Sequence, residues 1–130
     1  MRVLLIEDDD LVRMMLSETL GSDGIEVDGL ANGEDALILL GAGQVPDVLV
    51  TDIDLGPGIN GFDLADIARS RHPDVEVILI SGLAPRTEER SLRRHERFLR
   101  KPFAPADLAA AIRQVATPPR LAGGVDRGLA

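Results

Sequence analysis

Four short segments carry side chains that could do chemistry together. Glu7, Asp8, Asp9 and Asp10 form one acidic run, Asp52 stands apart, and Ser81 and Lys101 follow later. Each segment comes directly after a short apolar stretch, which places it at the end of a candidate strand. Bringing Glu7, Asp8 and Asp52 to one place is costly without a cation. Two unit charges about 4 Å apart repel by roughly 4 kcal/mol at an effective dielectric of about 20. A hard divalent ion relieves this, and one or two carboxylates with waters and substrate oxygens is the ligand pattern that Mg²⁺ prefers. Lys101 is the only lysine in a chain with 13 arginines, and its compact charge suits a phosphate. Ser81 can donate one hydrogen bond to a phosphoryl oxygen.

The elements that must position these groups are legible as an alternation. Arg2–Ile6, Ile25–Leu30, Val48–Thr51, Val75–Ile80 and Arg97–Arg100 read as strands, from length, branching and apolar content. Between the first two strands Leu11, Val12, Met15, Leu16, Thr19 and Leu20 recur at helical steps. Asp9 or Asp10 caps that helix, and Gly21 or Gly24 ends it. Asn32 caps a second helix with Ala36, Leu37 and Leu40 inward, stopping in Gly41-Ala42-Gly43. Gly56-Pro57-Gly58-Ile59-Asn60-Gly61 is a loop by its turn chemistry. A third helix spans Phe62–Arg71, a fourth Arg86–His95, and a fifth Ala106–Val115 with Pro105 in its first turn. The order is (βα)₅, a single α/β domain with a parallel sheet covered on both faces. In such sheets ligands gather at the carboxyl ends of the strands, where Glu7, Asp8, Asp52, Ser81 and Lys101 all fall. Residues 1–116 are expected to form the domain, and 117–130, with Pro118-Pro119 and Gly123-Gly124, a flexible tail.

Composition narrows the function classes. The 130 residues suit one domain, with 45% hydrophobic and 28% charged residues. There is no Cys, so neither disulfides nor thiolate metal sites enter. No apolar run reaches the roughly 18–20 residues that a membrane helix needs, and the one after Met1 is too short for a signal peptide. A cytoplasmic location is expected, and the fit of Met1 to the first strand favours an authentic N-terminus. The net charge of −8 argues against direct nucleic-acid binding. It is uneven: residues 1–66 hold 2 basic and 15 acidic side chains, residues 67–130 hold 12 and 7. The basic stretch from Arg86 to Arg100 is either a solvated helix face or a partner-docking surface. His72 and His95 are expected at the surface.

Taken in order, Leu5-Ile6-Glu7-Asp8-Asp9, Val50-Thr51-Asp52, Ile80-Ser81-Gly82 and Lys101-Pro102-Phe103 resemble the successive signatures of response-regulator receiver domains. The resemblance covers about residues 2–115. It implies a flavodoxin-like, doubly wound sheet of strand order 2-1-3-4-5. Asp52 would be the phosphoacceptor, and Asp8, Asp52, Glu7 and the backbone carbonyl of Asp54 would hold Mg²⁺. Ser81 and Lys101 would contact the phosphoryl group, and Phe98 would take the aromatic switch position. The implied partners are a histidine kinase or histidine phosphotransfer protein upstream. An unknown protein would dock downstream on the face of the fourth helix, fifth strand and fifth helix. The chain would act alone, without an output domain, as a monomer or weak homodimer. Leu55-Gly56 stands where the family often has Met-Pro, and the loop from Asp52 to Gly61 is one residue longer than usual.

Two other readings use the same residues. Asp52-Ile53-Asp54 resembles the Asp-x-Asp signature of haloacid-dehalogenase-type phosphatases, which also use an Asp nucleophile with Mg²⁺. That signature usually follows a first strand, whereas Asp52 follows the third. A receiver-like fold could also bind partners without phosphorylation, but the complete acid, Ser and Lys set speaks against it.

Overall fold

The computed structural model describes residues 1–82 and 92–116. Five parallel strands, β1 (Arg2–Ile6), β2 (Glu26–Leu30), β3 (Val48–Asp52), β4 (Glu76–Ser81) and β5 (Glu96–Arg100), form one sheet in the order β2-β1-β3-β4-β5. Four helices are described: α1 (Asp10–Ser22), α2 (Gly33–Gly41), α3 (Gly61–Arg71) and α4 (Pro105–Ala116). α4 is the fifth helix of the sequence reading. Most of the expected fourth helix lies outside the described residues. Its expected last turn is absent: Arg94 and His95 form a turn, with His95 at φ +66°, leading into β5.

Successive strand residues point to opposite faces, and both faces are buried. Leu4, Ile6, Leu49, Val77 and Leu79 pack with Ala36 and Leu40 of α2 and Leu64, Ala65 and Ala68 of α3. Val3, Leu5, Val48, Val50, Ile78 and Ile80 pack with Leu16 and Leu20 of α1 and Leu108, Ala109 and Ile112 of α4. The unbroken apolar runs of β1, β3 and β4 therefore have a direct cause: neither face meets water. Edge strand β2 is exposed at Glu26, Asp28 and Gly29, and acidic side chains there discourage pairing with a further strand.

Local chemistry starts the helices close to where the sequence predicts. Asp9 caps α1 by accepting from the Val12 amide at 3.0 Å, and Asn32 caps α2 from the Asp35 amide at 2.8 Å. Asn60 opens α3 with a reciprocal capping box to Asp63. The core stripe of α1 differs from the expected face. Leu11 and Met15 are exposed, while Val12, Leu16 and Leu20 turn to the core. Arg13 and Ser17 lie against Gly29 of β2. The helix is rotated by about one residue because glycine in the edge strand leaves room for the Arg13 stem.

The histidines and part of the basic stretch also depart from the surface reading. His72 Nε2 is buried without a hydrogen-bond partner among the described residues. His95 Nδ1 lies 2.6 Å from Glu76 Oε2. Glu96 has a fully buried side chain that pairs with Arg69 of α3, and Arg93 pairs with Asp66 at 2.6 Å. The buried Glu96–Arg69 pair tethers the start of β5 to α3, while Arg93 and Arg94 remain exposed, as a solvated face would have them.

Candidate functional site

The site stands at the carboxyl edge of the sheet, and backbone pairing carries past each strand end to hold it. The Glu7 amide donates to the Leu30 carbonyl (3.0 Å), that of Ile53 to Ile80 (2.8 Å) and that of Lys101 to Ser81 (2.9 Å). The residues that begin the loops are thus still anchored in the sheet. Glu7, Asp52 and Ser81 are buried, Asp8 is exposed, and Lys101 is half-buried. The Lys101–Pro102 peptide is cis.

One carboxylate oxygen from each of Glu7, Asp8 and Asp52 lies within 4.8 Å of the others. Lys101 Nζ donates to Asp52 Oδ2 at 2.8 Å and stands 3.7 Å from Glu7 Oε1. Glu7 Oε2 accepts from the Asp9 amide at 3.0 Å. Burial pushes the Asp52 carboxyl above the usual range, and the Asp8 charge adds to this. The Lys101 ammonium and the Asp54 amide oppose it without cancelling it. Burial likewise raises Glu7, aided by the charge of Asp52 and a hydrogen bond with Asp8, against the Asp9 amide and Lys101. For Lys101, burial favours the neutral amine. It is outweighed by the Asp52 hydrogen bond and the surrounding acids, so its affinity for the proton is raised.

Three carboxylates therefore face one ammonium. The pocket is oxygen-rich, part-buried and short of positive charge, and both raised carboxyls report chiefly that burial, with the neighbouring like charges adding to it. An oxygen-only donor set open on its Asp8 side fits a hard divalent cation such as Mg²⁺.

The structure thus brings Glu7, Asp8, Asp52 and Lys101 together. Ser81 ends β4, the neighbour of β3, with Ile80 opposite Asp52. Asp54 is exposed in the following loop, and its amide donates toward the Asp52 carboxylate. Phe98, opposite Leu79 in β5, is partly buried and packs on the α2–α3 side of the sheet. Gly61 closes the loop after Asp52, its amide donating to the Ile53 carbonyl at 2.8 Å. A Cβ at position 61 would strike the Asp52 carbonyl.

Two residues near the site were not singled out in the sequence. Arg13 donates to the Glu7 carbonyl at 2.7 Å, and its only signal is a charge interrupting the inner stripe of α1. Glu34 accepts from the Ile59 amide at 3.0 Å, and nothing local distinguishes it from an ordinary acid in a first helical turn.

The parallel α/β sheet gathers three acids and a lysine at its carboxyl edge, and comparison with known proteins gives the family. Residues 3–113 match the response regulator receiver domain, and the chain belongs to that family. It is 36% identical over 116 residues to the sensor kinase CckA of Brucella abortus, covering 87% of this chain and 12% of that protein. To the phosphate regulon transcriptional regulatory protein PhoB of Rhizobium meliloti it is 31% identical over 117 residues, covering 86% and 50%. The chain therefore spans at most half the length of these two curated relatives.

Among solved structures, a response regulator receiver protein from Sinorhizobium medicae superposes with a TM-score of 0.82 at 29% identity, covering 88% of this chain and 93% of that one. The receiver domain of the hybrid histidine kinase CckA gives 0.77 at 32% identity, covering 90% and 100%. The chain is a receiver domain of two-component systems, a regulatory phosphoacceptor class that histidine kinases phosphorylate and that binds Mg²⁺ at an acidic pocket. Among the described residues no helix is long and apolar enough to cross a membrane.

Proposed function

We propose that Asp52 is the phosphoacceptor of this chain, with Glu7, Asp8, Asp52 and the Asp54 carbonyl holding Mg²⁺ and with Lys101 and Ser81 contacting the phosphoryl group. The observation that carries this reading is the 2.8 Å contact of Lys101 with Asp52, beside the cluster that Asp52 shares with Glu7 and Asp8. An Asp52 oxygen attacks the phosphorus of a phosphohistidine on a histidine kinase or phosphotransfer protein. The P–N bond breaks, the imidazole leaves with the bonding pair, and an acyl phosphate forms on Asp52. When bound, Mg²⁺ supplies positive charge to the phosphoryl oxygens and to the gathered carboxylates. Lys101 then exchanges part of its contact with Asp52 for a phosphoryl oxygen, and the Ser81 hydroxyl donates to another.

The switch follows from the same geometry. Movement of Ser81 toward the phosphate lets the half-buried Phe98 repack, which alters the face of β5 and α4 for a downstream protein; most of the expected fourth helix beside them lies outside the described residues. That equilibrium shifts only by the difference in affinity of the phosphate for the two states. Residues 1–116 serve as the receiver unit, in the cytoplasm, as a monomer or weak homodimer; the expected tail, 117–130, lies outside the described residues. Incubation with a small phosphoryl donor and Mg²⁺ should label the wild-type chain and leave Asp52→Asn unlabelled. Equal labelling of the two would end this assignment.

A further inference from the structure

Asp52 is joined to α3 by a loop with two positive-φ glycines, Gly56 at +78° and Gly58 at +100°. The base of this loop is pinned by the Ile53–Ile80 and Gly61–Ile53 backbone hydrogen bonds. Ile53 and Leu55 are buried. The tip is held from another element. Glu34, in the first turn of α2, accepts from the Ile59 amide through Oε2 at 3.0 Å.

The two segments fit each other through missing side chains. A Cβ at position 33 would stand 2.7 Å from Ile59 Cγ1, and a Cβ at position 58 would fall on the Glu34 carboxylate. Gly33 makes room for the loop, and Gly58 makes room for the helix. Asp54 lies between the pinned base and the gripped tip.

We propose that Glu34 is a positioning residue for the acceptor site, holding the loop tip so that Asp54 stays in place beside Asp52. The inference rests on the reading of Asp52 and Asp54 given above. Its physical basis is preorganisation. A loop already ordered loses less conformational freedom when its backbone engages a cation, and glycine-rich backbone has the most freedom to lose.

The test uses Glu34→Ala and Glu34→Gln in the full chain, with Mg²⁺ affinity measured by calorimetry. Amide exchange at Gly58, Ile59 and Asn60 is measured in the metal-free protein. Glu34→Ala should weaken Mg²⁺ binding roughly three- to tenfold, about the net worth of one ordinary solvent-exposed hydrogen bond, and should speed exchange at those amides. Glu34→Gln keeps an acceptor oxygen and should restore both. A Glu34→Ala protein with wild-type Mg²⁺ affinity overturns the proposal, even if its melting temperature falls. So does a Glu34→Gln protein as impaired as Glu34→Ala. Wild-type protein that fails to bind Mg²⁺ would instead overturn the reading of the site itself, before any variant is compared.

Discussion

Lys101 pairs with Asp52 at 2.8 Å, and in the proposed mechanism it also meets the phosphoryl group, so its removal should act in two opposite ways. In Lys101→Met the acid cluster loses its nearby cation, and Mg²⁺ should bind more tightly. Phosphoryl transfer to Asp52 should fall about 100-fold, the scale for losing one preorganised charge at a transition state. Calorimetry and single-turnover labelling separate the two effects. Weaker Mg²⁺ binding in that variant would contradict the electrostatic account.

Glu34 offers a pH signature at the same scale. The Ile59 amide, and then its own backbone amide, hold its carboxyl below the usual glutamate range. A depressed folded-state value means that the contact stabilises the fold above the unfolded pKa. That contribution is lost as pH falls through the lower, folded one. The Ile59 amide proton shift should therefore titrate with a midpoint below that of an ordinary glutamate. A midpoint at or above the ordinary value would show that the carboxylate does not hold this amide in solution.

Among the elements, β5 depends on charge as well as on apolar contact. Its start is tied to α3 through Glu96, whose side chain is fully buried and also accepts from the Arg93 amide at 2.7 Å. Removing the cationic partner of such a pair leaves a buried charge with less compensation, whereas removing the charge itself costs less. Arg69→Ala should thus lose about 3 kcal/mol in urea unfolding, and Glu96→Gln distinctly less. The reverse order would mean that the pair is not buried in solution. Next to it, Leu64, Ala65 and Ala68 of α3 share one apolar core with Val77 and Leu79 of β4. Leu64→Ala should cost about 2–5 kcal/mol by the same assay.

Across the whole molecule, the sheet concentrates negative charge at one edge and stores the cost there. Asp8 adds like charge to the buried Glu7–Asp52 pair, so Asp8→Asn should melt higher than wild type in the presence of a chelator. Saturating Mg²⁺ should reverse the ranking. A ligand that binds only the native state adds about 2.7 kcal/mol at 100 times its dissociation constant, and Asp8→Asn forgoes most of that. Scanning calorimetry with and without Mg²⁺ checks both halves. No Mg²⁺ effect on wild-type melting would remove the cation from the account.

Much of this was written locally in the chain. Continuous apolar runs of about five residues, rich in branched side chains, read as strands buried on both faces. Asp9 and Asn32 mark helix starts through hydrogen bonds spanning three residues, while Asn60, in a segment that reads as loop, caps α3 in the same way. The alternation then forces Glu7, Asp52, Ser81 and Lys101 to one edge, because a parallel sheet leaves no other place for strand ends. Tertiary structure decided what has no short-range signal. It turned α1 so that Arg13 faces inward, set Glu34 on a loop 25 residues away, and buried Glu96 against an arginine 27 residues before it. Periodicity and caps reflect interactions within one or two turns of chain. These three contacts depend on how whole elements are rotated and spaced, which only the packed core determines.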